Sequence, residues 1–253
     1  YYDDNNFYDI KVVSTLGLTN DDINAFENLK TVKKAYGSYS KDVLVEAKNK
    51  ELVVKLIGIN QDINKIEILK GRMPKDNTEV IVEQSMINKE KLKIGDYITV
   101  NDDTIKNKDL KIVGIVKSPL YITSETGTAN RGNTNIGTGK INYYAYTNND
   151  NFNIDYYTEI YLTVNGASEE TTNSDKYNNI IEKSLKEIDK IKKDREDLRY
   201  SKIYDDANNK IKEEQEKGQA KLDNAKNALD SANEKLVDGK NKLTSSKVKL
   251  DNA

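Results

Sequence analysis

Leucine recurs at every seventh residue near the end of the chain, at Leu222, Leu229, Leu236, Leu243 and Leu250, with Ala225, Ala232, Gly239 and Ser246 set between them. Each leucine is followed three residues later by a small residue, and each small residue four later by the next leucine. That alternation gathers the side chains into one narrow stripe, the seam of a coiled coil. A seam is stable only against a facing surface. Small residues at alternate positions let two helix axes come close, which favours a tight antiparallel pair. The expected occupants are a return limb of the coiled coil or a second copy of the chain, so the isolated chain is expected to pair with itself. The stripe runs into Lys249-Leu250-Asp251-Asn252-Ala253 with no Gly or Pro stop, and the chain opens on Tyr1-Tyr2. The expectation is therefore a piece of a longer protein, with membrane segments outside both ends.

Composition agrees with a long solvated helix joined to a modest core. Of 253 residues, 32% are charged and only 36% hydrophobic. A helix from Tyr204 to Ala253 would extend about 75 Å, farther than a globule of this size could cover. Lys and Arg number 40 against 42 Asp and Glu, which leaves no bulk basic field for nucleic acid. The chain has no Cys, so disulfides, thiolate nucleophiles and most zinc sites are excluded. It has no His either, which removes the commonest general base and metal ligand. No enzyme activity, cofactor or metal is expected. No run approaches the ~20 apolar residues needed to span a bilayer.

Ahead of the seam the pattern is strand-rich. Tyr8–Ser14, Val43–Ala47, Leu52–Ile59, Glu79–Val82, Tyr97–Val100, Leu110–Val116, Ile141–Thr147 and Tyr157–Val164 alternate or run apolar as strands do. Thr19, followed by Asp21 and Asp22, predicts a helix start with Ile23, Phe26 and Leu29 on its apolar face. A second small helix is expected near Ser85–Glu90, and Asn49-Lys50 as a hairpin turn. Thr123 to Lys140, with Gly127, Gly132, Gly137 and Gly139, reads as a long loop suited to docking a partner. From Asp175 a helical stripe of Tyr177, Ile180, Ile181, Leu185, Ile188 and Ile191 is expected to pack on the body.

Three other features invite a site. Sixteen Tyr against three Phe, with Tyr143, Tyr144, Tyr146, Tyr156, Tyr157 and Tyr161 close together, suit a sugar- or peptide-binding face, or more simply a sheet clad in Tyr on its outer side. The glycines around Thr126-Gly127 and Gly137-Thr138-Gly139 lack the Lys-Ser/Thr pair of a phosphate-binding loop. The acid pairs Asp3-Asp4, Asp102-Asp103 and Asp205-Asp206 carry no calcium-loop spacing and read as turns or helix ends.

A more specific pattern lies in Leu69-Lys70-Gly71-Arg72-Met73-Pro74, Glu79-Val80-Ile81-Val82, Leu92-Lys93-Ile94-Gly95-Asp96-Tyr97-Ile98-Thr99-Val100 and Lys111-Ile112-Val113-Gly114-Ile115-Val116. Physically, Gly71 and Gly95 permit tight turns, Pro74 ends a strand and Asp96 caps a turn. In order and spacing these segments resemble the extracytoplasmic domain of FtsX/MacB-type ABC transporter permeases, over roughly residues 8–165. Ser118-Pro119-Leu120-Tyr121-Ile122 and Glu125-Thr126-Gly127 resemble the Gram-positive members that carry a long coiled-coil insertion. The resemblance implies a non-catalytic domain between the first two transmembrane helices of a permease, served by a cytosolic ATP-binding subunit. Gly71, Arg72, Pro74, Gly95, Asp96 and Gly114 then act as a fold motif.

The expected architecture is α+β, a mixed strand-rich MacB-type extracytoplasmic domain followed by a long coiled-coil helical arm. Residues 1–172 would form the body, 173–203 a connecting helix packed on it, and 204–253 the arm. The expected function is the extracellular domain of a cell-membrane permease, coupling cytosolic ATP hydrolysis to handling of a substrate or an extracellular protein through the arm. The rival is a cell-surface interaction module, adhesin-like or a regulator of a wall enzyme, acting through the coiled coil.

Overall fold

The computed structural model of the chain describes residues 6–121 and 131–252. Among these residues ten strands and three α-helices follow in the order β1 (Ile10–Leu18), α1 (Asn20–Glu27), β2 (Val32–Ser38), β3 (Ser40–Ala47), β4 (Lys50–Gly58), β5 (Glu67–Gly71), β6 (Glu79–Glu83), α2 (Gln84–Glu90), β7 (Tyr97–Asn101), β8 (Asp109–Lys117), β9 (Tyr143–Thr147), β10 (Tyr157–Val164) and α3 (Asp175–Asp251). The fold is α+β, strand-rich up to β10 and helical after it. The chain divides into two units, Tyr1–Lys193 and Asp194–Ala253.

Within the first unit, β10 lies between β1 and β2 in an antiparallel three-stranded sheet. One face of that sheet buries Ile10, Leu18, Val32, Ala35, Ile160 and Leu162 together with Phe26 of α1 and Ile188 of α3. Helix α1 starts where Thr19 leaves the helical region, and the Asp22 carboxylate accepts both the Thr19 N–H at 2.7 Å and its hydroxyl at 3.0 Å. The first turns of α3 add Tyr177, Ile180, Ile181 and Ile191 to the same core. Leu185, expected on that stripe, is instead 42% exposed. Its neighbours Ile181 and Ile188 are on the packed face, and the stripe is narrower than six residues imply.

The second sheet closes on itself. Its order is β5-β8-β6-β9-β4-β3-β7, and β7 pairs in turn with β8, so the strands from β8 to β7 form a ring with β5 attached outside it. Period-two side chains fill one face: Val43 and Val45, Val54 and Leu56, Val80 and Val82, Ile98 and Val100, Leu110 and Ile112. Met86 of α2, Leu92, Ile105 and Phe152 belong to the same cluster. The opposite face of β4, β6, β8 and β9 is also covered, by a cluster of Ile57, Ile81, Val113, Val116, Tyr144 and Tyr146. Burial on both faces explains why β6 and β9 read as continuous apolar runs.

Two expectations change here. The tyrosines do not clad an outer face: Tyr143, Tyr144, Tyr146 and Tyr161 are each at most 5% exposed. They lie on strands with neighbours on both sides, and the hydroxyls of three of them find buried or half-buried partners. Tyr143 donates to Glu90 at 2.6 Å, Tyr161 donates to Glu159 at 2.6 Å, and Tyr146 shares a 2.5 Å bond with Ser118. The β3–β4 turn is Lys48-Asn49, one residue earlier than expected, because Ala47 pairs with Lys50. Both turn residues have positive φ, 47° and 63°, as a two-residue hairpin loop requires.

Of the long loop, residues 122–130 lie outside the described residues, including Glu125, Thr126 and Gly127. From Arg131 onward the segment is pinned to the body. The Arg131 guanidinium makes paired bonds of 2.7 Å to both oxygens of Glu83, where β6 passes into α2, and a third to Ser85 at 3.1 Å. Glu83 also accepts the Tyr144 N–H at 3.2 Å. Both charged side chains are buried, at 9% and 3% exposure. Removing one partner strands the other charge in a low-dielectric site. Arg131→Met should therefore cost about 3–5 kcal/mol in urea unfolding, and Arg131→Met combined with Glu83→Gln should recover part of that loss.

Candidate functional site

The residues singled out between Gly71 and Gly114 come together at one edge of β8. Its first residues, Asp109 to Lys111, pair with β7, and its later ones, Gly114 to Lys117, pair with β5. The change of neighbour falls between them. There Ile112 exchanges backbone bonds of 2.8 Å with the Gly95-Asp96 turn, and Val113 accepts the Arg72 N–H at 3.1 Å. Gly71 and Gly114 face each other in register. Gly71 has φ +84°, and a Cβ on it would lie 2.8 Å from the Gly114 Cα. A Cβ on Gly114 would lie 2.6 Å from the Arg72 carbonyl oxygen. Two strands take turns on one edge here, and the close approach leaves no room for a side chain at either position.

The polar members lock the same junction. The Asp96 carboxylate accepts the Lys93 N–H at 2.9 Å, closing the turn, and pairs with Lys48 at 3.5 Å. Arg72 grips Glu79 with two bonds of 2.5 Å, across the loop that holds Pro74. Glu79 also accepts the Lys75 N–H at 2.8 Å. The Arg72 hydrogen bonds, with that backbone donor, hold the Glu79 carboxyl at about 2, against an ordinary value near 4.5. Every one of these groups is engaged in holding the backbone, and the motif presents no free acid, base or nucleophile for chemistry.

The second candidate is the seam. In the unit Asp194–Ala253, every described residue from Tyr200 on is exposed. Leu222, Leu229, Leu236, Leu243 and Leu250 range from 63% to 78% exposure, with Val237 and Val248 at 53%. Ala225, Ala232, Gly239 and Ser246 stand between them on the same helix. Ahead of Gly218 the order inverts: Ile211 and Tyr204 take the small-residue phase, and Gln215 and Asn208 the leucine phase. The leucine ladder thus begins at Leu222. Among the described residues nothing covers α3 from Tyr200 on, so its apolar stripe is an unfilled contact surface.

The remaining candidates resolve into ordinary structure. Asp102 accepts the Thr104 N–H at 2.8 Å and pairs with Lys41 at 3.0 Å, and Asp103 pairs with Lys108 at 2.8 Å. Asp205 and Asp206 lie within α3, and Asp3 and Asp4 lie outside the described residues. A cleft of about 350 Å³ is lined by Tyr8, Asp9, Lys33, Thr163 and Tyr177 among others. Its carboxylate is already spoken for, since Asp9 accepts from Tyr177 at 3.0 Å and from the Val164 N–H at 2.7 Å. Among the described residues no cluster of acids could hold a metal ion, and no helix is long and apolar enough to cross a membrane. What sequence reasoning missed is the Arg131–Glu83 pair, whose partners are 48 residues apart with no periodic signal linking them.

No protein-family model matches the chain, and no curated protein matches it. Several solved structures are similar to it, two of them as follows. One is the extracellular domain of the noncanonic ABC-type transporter YknZ from Gram-positive bacteria, at 17% identity and a TM-score of 0.40, covering 62% of this chain and 78% of that one. The other is the periplasmic region of MacB from Actinobacillus actinomycetemcomitans, at 13% identity and a TM-score of 0.38, covering 70% and 75%.

Two outcomes test the junction. Gly71→Ala forces a side chain into the strand crossing at a positive φ, and should lower stability by about 2 kcal/mol or more in denaturant titration. The second is a pH dependence. Glu79 is ionised more readily in the folded chain than in the unfolded one, so its contribution is complete above about pH 4.5 and is lost as pH falls toward 2. Stability should therefore drop with acid over that window, and Arg72→Gln should flatten that part of the profile.

Proposed function

We propose that this chain is the extracytoplasmic domain of an ABC transporter permease in the cell membrane, non-catalytic in itself and exposed outside the cell. In this reading residues 1–172 are the body, 173–203 the connecting helix and 204–253 an arm through which the transporter handles a substrate or an extracellular protein. ATP hydrolysis belongs to a cytosolic ATP-binding subunit, and its motion reaches the domain through the membrane helices of the intact protein.

One observation carries the proposal. The segments around Gly71, Gly95 and Gly114, dispersed over more than forty residues of the pattern, meet at a single junction on β8. Gly71, Arg72, Gly95, Asp96 and Gly114 are thus parts of one device that shapes the sheet, as a family fold motif should be. The absence of Cys and His supports a domain that transmits or binds and does no covalent chemistry. The long exposed seam supports a role in contact.

The test uses the full-length protein in its own membrane. A cysteine introduced as Asn227→Cys, in a stretch of 253 residues that has none, should react with a membrane-impermeant maleimide from outside the cell at this position. The purified protein should carry an ATP-binding subunit, and Leu229→Lys with Leu236→Lys should change coupled ATP hydrolysis several-fold while leaving the assembly intact. Purification with no ATP-binding partner, on a single membrane anchor, would overturn the proposal in favour of a surface interaction module.

A further inference from the structure

The charges bordering the leucine seam discriminate among its occupants. With leucine at heptad position a and the small residues at d, the flanking g positions are 221, 228, 235, 242 and 249, and the e positions are 226, 233, 240 and 247. Lys221, Lys235, Lys242 and Lys249 occupy four of the five g positions, with Ala228 at the other. Lys226, Lys240 and Lys247 occupy three of the four e positions, with Asn233 at the other. All are exposed, and no carboxylate stands at e or g. The acids of this segment, such as Asp223, Asp230 and Asp238, are set back from the seam at b and c.

A second copy of the chain is a poor match for this border. A parallel pair sets g against e of the partner, and an antiparallel pair sets g against g and e against e. Either way lysine meets lysine, and like charges at these positions select against pairing. The antiparallel self-pairing expected from the leucine spacing satisfies the apolar layers but not their flanks.

A membrane surface fits less well than a helix. A strict heptad drifts about 20° per repeat on a straight helix, so the stripe winds through roughly 80° between Leu222 and Leu250. That winding suits a supercoiling partner, whereas a flat bilayer would meet only part of the stripe. Four of the nine seam layers are Ala, Gly or Ser, and no aromatic residue stands between Tyr204 and Leu250 to anchor at a lipid interface. Gly218 and Gly239 point the same way. Both lie on the small-residue line inside a helix that glycine weakens, and a Cβ on either would meet nothing within 4 Å. Nothing in the free chain calls for glycine there, whereas a closely approaching partner helix would.

We infer that the Leu222–Leu250 seam receives an acid-flanked amphipathic helix, with large aliphatic residues opposite the Ala, Gly and Ser layers and Glu or Asp against the lysines, and that it rejects a second copy of itself. This deepens the contact role of the arm and stands whether or not the body belongs to a permease. The present chain is mixed with either of two synthetic helical peptides that carry leucine at both seam positions. One has Glu at every e and g position, the other Lys. Calorimetry should show binding of the Glu peptide, weakened about tenfold or more between low and high salt, and no binding of the Lys peptide. Sedimentation equilibrium of the chain alone should give a monomer. Equal binding of both peptides, binding of neither while phosphatidylglycerol vesicles bind, or a stable dimer of the chain alone would each overturn the inference. A charge-reversed chain, Lys226→Glu with Lys240→Glu and Lys247→Glu, should self-associate by setting Glu against the g lysines of a parallel second copy. A variant that stays monomeric contradicts charge as the selector. None of these failures would touch the permease reading, which is decided by the ATP-binding partner.

Discussion

The body depends on the shared edge of β8. A strand has two edges, and β8 serves three neighbours: β6 along one edge, and β7 then β5 along the other. That division is possible only if the backbones crowd together where one neighbour gives way to the next. Gly71 and Gly114 provide the space, the Gly95-Asp96 turn stops β7 short, and the Arg72–Glu79 pair fixes the chain as it leaves β5. Closure of the ring follows, because β7 can return to β8 only where β5 has not taken its place. The covered tyrosines of β9 are a consequence of the same closure, since they lie on an inner strand packed on both faces.

Much of this was legible in residue patterns. The strands fall near the expected places because alternation and apolar runs report burial directly, and Thr19-Asn20-Asp21-Asp22 marks a helix start by capping chemistry alone. The motif residues could be picked out as turn formers, yet their convergence could not, because strand order is not encoded by local spacing. Tyrosine misled for a physical reason. A phenol is equally suited to a half-exposed sheet face and to a core with a polar partner, and only the placement of Ser118, Glu90 and Glu159 decides between them. The Arg131–Glu83 pair leaves no trace in sequence, since a buried ion pair between distant segments has no periodicity to detect.

The arm obeys a different logic from the body. Up to Ile191 the helix is held by apolar contacts with the three-stranded sheet and α1. From Tyr200 onward every described residue of the helix is exposed, and the side-chain pairs there are local ones such as Lys217–Glu214 and Gln219–Asp223. Helices gain most of their stability in proteins from packing an apolar face, and propensity alone is marginal. A leucine ladder left uncovered and ringed with lysine is therefore a surface awaiting its complement, and the charge at its border says more about that complement than the leucines do.

Hydrogen exchange along the whole chain, at low micromolar concentration without any partner, tests this account most directly. It predicts slow exchange for the strands of the body and for α3 up to about Ile191, and exchange orders of magnitude faster from Tyr200 to Leu250, where every described residue of the helix is exposed. Protection of the Leu222–Leu250 segment equal to that of the body, in the chain alone, would contradict it.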